Sequence, residues 1–480
     1  VYQLSGTTVS SAREILPARP IPELFEKLRG GTYPWLLDSA LASDCGRFSF
    51  AGANPYLVVR GRGSEIEAEC LRAARPGLVV GRRHASGDLL EAVRSLFPTP
   101  PSNLEVPDLP FIGGAVGYLG YELAGQFDVH HFRGLDDLQL PDLYLLFIDR
   151  LIAYDSRDDR LYACALGFAD DSKTAAARAR GAIDEICAQI DGASPPEHTV
   201  AVSRPAAPFA FFDADRYTKA VDAAKEQIEA GEVYQVCLTH RKERDCTADP
   251  WALYRRLREL NPAPFASYFE LPEVAIVSCS PERFLAVDGN RHVESRPIKG
   301  TRPRGGDAVS DRAYRDGLES SAKDRAENLM IVDLVRNDLG RVCETGSVAV
   351  PELMTIERYA SVYQMVSTVC GRLRDGCDVF DLVRATFPPG SMTGAPKIAA
   401  MRILDELEPV RRGIYSGALG YFDLRGGTDL CVVIRTVLLI DGRAYLHTGG
   451  GIVADSNSAA EWQESMDKAL LLEVALEDVG

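Results

Sequence analysis

Four acidic residues fall into two pairs of equal spacing. Asp324 and Glu327 lie three apart in a segment that reads as a helix, and Glu461 and Glu464 repeat the interval near the other end. Three residues is close to one helical turn, so each pair presents its carboxyls on one face. If the two helices face each other, four carboxyls converge, a density of charge that suits a hard dication. Mg²⁺ takes one or two carboxylates and completes its shell with water and substrate oxygens. The plainer alternative is two solvated helix faces.

A second group pairs a carboxyl with an amine. Val274–Ser278 reads as a buried strand leading to Ser280-Pro281-Glu282-Arg283-Phe284, with His292-Val293-Glu294 returning from it. Pro297-Ile298-Lys299-Gly300-Thr301-Arg302-Pro303-Arg304-Gly305 then sets one lysine between proline and glycine, where the chain is expected to turn. Glu282 and Lys299 would sit near the ends of neighbouring strands, aimed at a cleft as acid, base or nucleophile; a solvated lysine on a surface turn is the ordinary alternative. Arg435, inside the apolar run Cys431–Val437, could grip a carboxylate or form a structural ion pair. Gly449-Gly450-Gly451 reads as a turn whose backbone N–H groups could approach an oxyanion. Gly390-Ser391-Met392-Thr393-Gly394-Ala395-Pro396-Lys397 lacks the spacing of a phosphate-binding loop. There is no HExxH, GxSxG or CxxCH, and the seven histidines do not group.

These residues need a large scaffold. The 480 residues exceed one ordinary core, and 46% hydrophobic with 25% charged residues is usual for a globular protein. A net charge of −16 argues against a nucleic-acid surface, yet a local cationic pocket could still hold a small anion. No apolar run approaches the roughly 20 residues that span a bilayer, so no membrane partner is expected. The first residues lack a signal-peptide pattern, and the 11 cysteines are scattered without CxxC pairing, which points to a reducing compartment, the cytoplasm.

Short strands and a few helices are expected over residues 1–195, and a catalytic region over 210–480. The Pro-, Ala- and Ser-rich stretch 191–209 is the candidate boundary. Expected strands include Pro34–Ala40, Leu145–Ile148 beside Leu151–Tyr154, and Leu430–Leu439. Expected helices include Ser172–Ile190, Asp213–Ala230, Pro250–Leu260, one long helix within Asp311–Leu339, and Ser458–Glu477. Elements cluster by type instead of alternating, which favours an α+β fold with large antiparallel or mixed sheets. Gly113-Gly114-Ala115-Val116-Gly117-Tyr118-Leu119-Gly120-Tyr121 is echoed by Gly417-Ala418-Leu419-Gly420-Tyr421-Phe422, a hint of internal duplication.

Taken together, Glu232–Leu238, Ser280–Phe284, Pro297–Pro303, Glu327–Leu334, Gly390–Lys397, Tyr415–Gly420 and Gly449–Ser456 resemble, in their order, the chorismate-utilising enzymes. That family includes the large subunits of anthranilate and aminodeoxychorismate synthases, with isochorismate and salicylate synthases. The resemblance spans about residues 213–475. It implies Mg²⁺ held by Glu327 and Glu464, with Asp324 and Glu461 behind water; relatives often carry glutamate where Asp324 stands. It implies chorismate held by Tyr415, Arg435, Gly450, Gly451 and Lys468, in a pocket lined by Gly300, Thr301 and Ser391. Gln235 stands where water-using members carry a lysine. Lys299 stands where anthranilate synthases read alanine, which is similar to aminodeoxychorismate synthases, in which the lysine amine attacks the ring. Glu282 would be the general acid and then the base. Gln364 replaces a histidine usual in anthranilate synthases.

No glutaminase elbow is visible, so the resemblance implies ammonia from a separate glutamine amidotransferase subunit. Segments around Leu37 and Ser39, and around Pro262 and Phe265, resemble tryptophan-binding segments of relatives; ordinary sheet packing is the alternative. An anthranilate synthase large subunit, or a catalytically silent ligand-sensing subunit, are the competing expectations.

Overall fold

The computed structural model describes residues 2, 4–41, 43, 45–101, 106–127, 132–192, 212–359 and 362–480. Nearly all of the expected 191–209 boundary lies outside the described residues.

The fold is α+β, built on two large sheets. The first has eleven strands, in the order Thr7–Ile15, Arg160–Ala169, Arg150–Asp155, Phe48–Gly52, Trp35–Asp38, Phe265–Glu270, Ala275–Ser280, Thr436–Ile440, Arg443–Ile452, Gln235–Asp245 and Gly394–Ala395. The second has twelve, running Ile298–Pro303, Val362–Arg372, His292–Arg296, Arg283–Val287, Thr428–Val432, Ala418–Asp423, Gly114–Leu119, Leu143–Ile148, Leu57–Arg62, Glu65–Cys70 and Gly81–Ser86, with Ala349–Arg358 also on Val362–Arg372. The ladders among these strands are antiparallel.

Residue alternation explains the layering. Along the first sheet, Trp35, Phe50, Phe269 and Ile276 point toward the second sheet and join the core between the two. Their chain neighbours Leu36, Ala51, Tyr268 and Val277 point the other way, onto the helices Ile21–Leu28, Ser172–Asp191, Pro250–Leu260 and Ser458–Val479. A strand buried on both faces carries apolar residues at successive positions, which is why these segments read as continuous apolar runs. The helices Ala322–Gly340 and Val379–Thr386 add Ile331, Val332, Phe380 and Val383 to the core of the second sheet.

The strand connectivity is repeated. In the second sheet, Gly114–Leu119 and Ala418–Asp423 lie side by side with Gly117 opposite Gly420. From that seam one half of the chain adds Leu143–Ile148, Leu57–Arg62 and Glu65–Cys70, and the other adds Thr428–Val432, Arg283–Val287 and His292–Arg296. The first sheet has a matching seam, Trp35–Asp38 against Phe265–Glu270. The two echoing glycine phrases therefore meet at the centre of one sheet, and both seams join residues from either side of the 191–209 stretch.

Several local expectations are corrected. Leu143–Ile148 and Arg150–Asp155 do not pair: the chain crosses from the second sheet to the first at Asp149, which Arg72 holds at 2.8 Å. Leu430–Leu439 is broken for the same reason, with Arg435 in the break at φ +52°. The long helix expected within 311–339 is present as Ala322–Gly340, which Ser321 caps by accepting from Asp324 N at 3.3 Å, and a separate helix, Ala308–Glu319, precedes it. Gly449–Gly451 lies inside the strand Arg443–Ile452 and is not a turn. Lys299 likewise sits within a strand. Lys299 and Gly300 together face one partner residue, because Ile298 pairs with Val366 and Thr301 with Gln364. This is a β-bulge, made possible by Gly300 at φ +87°.

Candidate active site

Two crossings between the sheets create the site. Glu282 occupies the corner where the chain leaves Ala275–Ser280 and enters Arg283–Val287. Its backbone is fixed by Val432 N donating to Glu282 O at 3.0 Å, and Ser280 Oγ ties the same strand through Val432 O at 2.6 Å. The Glu282 side chain is buried, and burial pushes its carboxyl up to about 7, against the opposing pull of the Ser391 hydroxyl and Lys299. Lys299 Nζ donates to Ser391 O at 3.4 Å. Ser391 belongs to the short turn Gly390–Met392 and is itself buried. Bulge, corner and turn thus bring Lys299, Glu282 and Ser391 together.

The two acidic helices do face each other. Lys323 Nζ lies 3.2 Å from Glu461 Oε1 and 3.9 Å from Glu327 Oε1. A methyl group at Gly450 would stand 3.2 Å from Glu461 Oε2 and 3.8 Å from Glu464 Oε1, and one at Gly451 would stand 3.3 Å from Glu327 Oε2. Three carboxylates therefore approach the glycine segment, and a Cβ on Gly451 would also lie 2.3 Å from Gln235 Nε2, so no side chain fits there without a shift. Burial raises the Glu327 carboxyl against the pull of Lys299 and Lys323. Burial also opposes ionisation of Glu464, but Lys468, at 2.6 Å, brings it below the usual carboxylate range. Ser456 Oγ donates to Glu461 Oε1 at 2.7 Å. Asp324 turns aside to Arg302, 2.7 Å away, which links the acidic helix to the strand carrying Lys299.

Among the described residues, no set of three His, Cys, Asp or Glu side chains is gathered closely enough to hold a metal ion by protein donors alone. A two-carboxylate site completed by water and substrate oxygens is what this donor set fits, and that is the habit of Mg²⁺.

Cationic groups border the carboxylates. Arg435 is held by its NH1 donating to Lys468 O at 2.7 Å; burial lowers its pKa, while Tyr415 and Glu464 work in the opposite direction. Tyr415 stacks on His447 with ring centroids 5.0 Å apart. Lys468 Nζ also donates to Gly449 O at 3.0 Å. Gln235 Nε2 donates to Glu327 Oε2 at 3.4 Å, and its Oε1 is buried without a hydrogen-bond partner among the described residues. Thr301 is exposed at the rim. Sequence reasoning passed over Arg302 and Lys323, although each is a basic residue next to or within a singled-out motif. Ser456, whose role depends on the approach of a strand end to a helix, left no such signal.

A separate cavity of about 360 Å³ lies between the sheets near the first-sheet seam. Leu37, Ser39, Phe265 and Tyr421 line it, with Arg47 and Asp429 among its polar groups; Pro264 takes the place expected for Pro262.

Among known proteins, the chain is 42% identical over 464 residues to an aminodeoxychorismate synthase of Streptomyces griseus, covering 95% of this chain and 62% of that protein. It is 39% identical over 464 residues to anthranilate synthase component 1 of Arthrobacter globiformis, covering 93% and 86%. Its fold matches the crystal structure of anthranilate synthase component I from Streptococcus pneumoniae TIGR4, with a TM-score of 0.75 and 29% identity over 90% of this chain and 93% of that one. The family model for chorismate binding enzymes matches residues 83–472, and with the relatives above it shows that the chain belongs to the chorismate binding enzyme family.

Proposed function

We propose that this protein forms 4-amino-4-deoxychorismate from chorismate and ammonia, through a covalent adduct on Lys299. The observation that carries the reading is the placement of Lys299 Nζ at the Ser391 carbonyl, beside the buried Glu282. Similarity to aminodeoxychorismate and anthranilate synthases is close to equal, 42% against 39%, so the choice between them rests on that lysine.

An amine attacks only when unprotonated, and a carboxyl donates only when protonated. Transfer of one proton from Lys299 to Glu282 produces both forms at once, with no net change in charge. The Lys299 nitrogen then bonds to C2, the ring double bonds shift, and the C4–oxygen bond breaks as Glu282 gives its proton to the departing hydroxyl, releasing water. Ammonia next bonds to C4, the double bonds shift back, the C2–nitrogen bond breaks, and the Glu282 carboxylate takes the surplus proton. Arg435 and Lys468 would hold the substrate carboxylates. Glu327 and Glu464 would hold Mg²⁺, which when bound offsets substrate charge. Gln235, having no basic nitrogen, cannot activate water as a lysine there would. Ammonia would come from a separate glutamine amidotransferase subunit and the product would feed p-aminobenzoate formation. The cavity between the sheets would take tryptophan.

The test is product analysis of wild type and Lys299→Ala with chorismate, Mg²⁺ and excess ammonium. Aminodeoxychorismate from the wild type, lost or replaced by anthranilate in the variant, is expected. Anthranilate from both proteins would move the assignment to anthranilate synthase; no turnover from either would favour a silent subunit.

A further inference from the structure

Lys397 is the first residue of the helix Lys397–Leu407, yet its side chain folds away from that helix. Its Nζ lies 2.6 Å from Asp338 Oδ2, 2.5 Å from Thr386 O and 2.9 Å from Pro388 O. An ammonium has three N–H bonds, and three acceptors take them. Both Lys397 and Asp338 are nearly buried, at 11% and 8% side-chain exposure, so the contacts are shielded from water and salt.

What these contacts join matters more than their number. Asp338 sits on Ala322–Gly340, the helix that carries Glu327. Thr386 and Pro388 begin the segment that ends in the Gly390–Met392 turn, where Ser391 meets Lys299 and Glu282. Beside Glu282 is a small cavity of about 10 Å³, room for one water at most, bordered by Glu282, Ser295, Asp338, Thr386, Gly390 and Ser391. The segment held by Lys397 forms one wall of it. The other charged groups around Glu282 are Lys299 and its chain neighbour Arg283, the latter paired with Asp429 and Glu294.

We propose that Lys397, together with Asp338, is a positioning residue of the aminating site: it clamps the Thr386–Ser391 segment so that Glu282 stays sealed from solvent and the Ser391 carbonyl orients the Lys299 amine. The inference rests on Glu282 and Lys299 being the reacting pair. Without the clamp the segment lifts, water enters behind Glu282, and the amine loses its acceptor.

The test uses Lys397→Met, which keeps the length and removes the donors, with Lys397→Arg and Asp338→Asn beside it. Glu282 ionisation is read without substrate, by infrared difference spectra of carboxyl-labelled protein against the Glu282→Gln variant. In Lys397→Met the Glu282 midpoint should fall by about one pH unit or more, toward an ordinary carboxylate. Its kcat with ammonium should fall about tenfold or more, with KM for chorismate nearly unchanged. Lys397→Arg should recover part of both. Should the Met variant fail to fold, Asp338→Asn, which leaves two of the three contacts, decides by the same titration. A folded variant with the wild-type Glu282 midpoint would overturn the proposal, as would loss of folding in all three. Aminodeoxychorismate still formed by Lys299→Ala would instead overturn the covalent reading, which the titration does not depend on.

Discussion

In the proposed reaction Glu282 must protonate a leaving hydroxyl near neutral pH and so retain its proton there, a state that its burial favours. The same burial has a thermodynamic cost. Raising the pKa from 4.5 to about 7 means the folded protein binds this proton more tightly than the unfolded chain does. Stability therefore falls as pH rises from about 4.5 to about 7, by about 3 kcal/mol, and changes no further above that range. Glu282→Gln removes the titration, so urea unfolding at pH 8 should show the variant more stable than wild type, by up to that amount, while turnover is lost. Equal stability at pH 8 and a retained pH slope would contradict this account. The trade is a common one at active sites, where function is placed above stability.

At the scale of elements, the site is made of irregularities: a bulge, two corners between sheets, and a short turn. The sequence displayed the regular parts well. Pro250–Leu260 is a helix with the bounds its apolar spacing suggests, and the helix expected over Asp213–Ala230 is Ala214–Glu229, with Asp213 as its cap. The acidic pairs were legible because helical spacing alone puts Glu461 and Glu464 on one face. The corners were not legible. A strand that ends in one sheet and resumes in another leaves the same apolar run as an unbroken strand, which is why Arg435 read as mid-strand and Leu145–Tyr154 as neighbours. Gly449–Gly451 misread as a turn because glycine also serves close strand packing. The seam glycines illustrate that use: a Cβ on Gly420 would lie 2.0 Å from the Asp429 carbonyl oxygen. Backbone cannot yield as a side chain can, so Gly420→Ala should destabilise the fold by about 3 kcal/mol, measured by denaturant unfolding. An unchanged midpoint would show that Ala418–Asp423 and Thr428–Val432 can move apart freely.

Across the whole molecule, one plan of strands is used twice, and the candidate site residues lie in one copy. The corner equivalent to Glu282 in the first half holds Asn54-Pro55-Tyr56, with Tyr56 fully buried, and the crossing equivalent to Arg435 holds Asp149. Core packing has taken the first half's corners, leaving the 360 Å³ cavity by the seam as its open space. If that cavity holds tryptophan, added L-tryptophan should raise the melting temperature, and Ser39→Trp, which fills the space, should abolish the increase. No change in wild type would leave the cavity to sheet packing.

The two seams also govern how the chain reaches this state. Trp35 pairs with Phe269, and Gly117 with Gly420, so the centre of each sheet closes only between residues far apart in sequence. Loop-closure entropy makes such pairing slow, and an unfinished seam is an open strand edge able to pair with other chains. During synthesis the first half emerges with Trp35–Asp38 and Gly114–Leu119 exposed along that edge; the first waits for Phe265–Glu270, and the second for Ala418–Asp423, near the end of the chain. For this protein the vulnerable interval is the time on the ribosome, which makes translation speed and chaperone supply, more than the stability of the finished fold, the determinants of its yield.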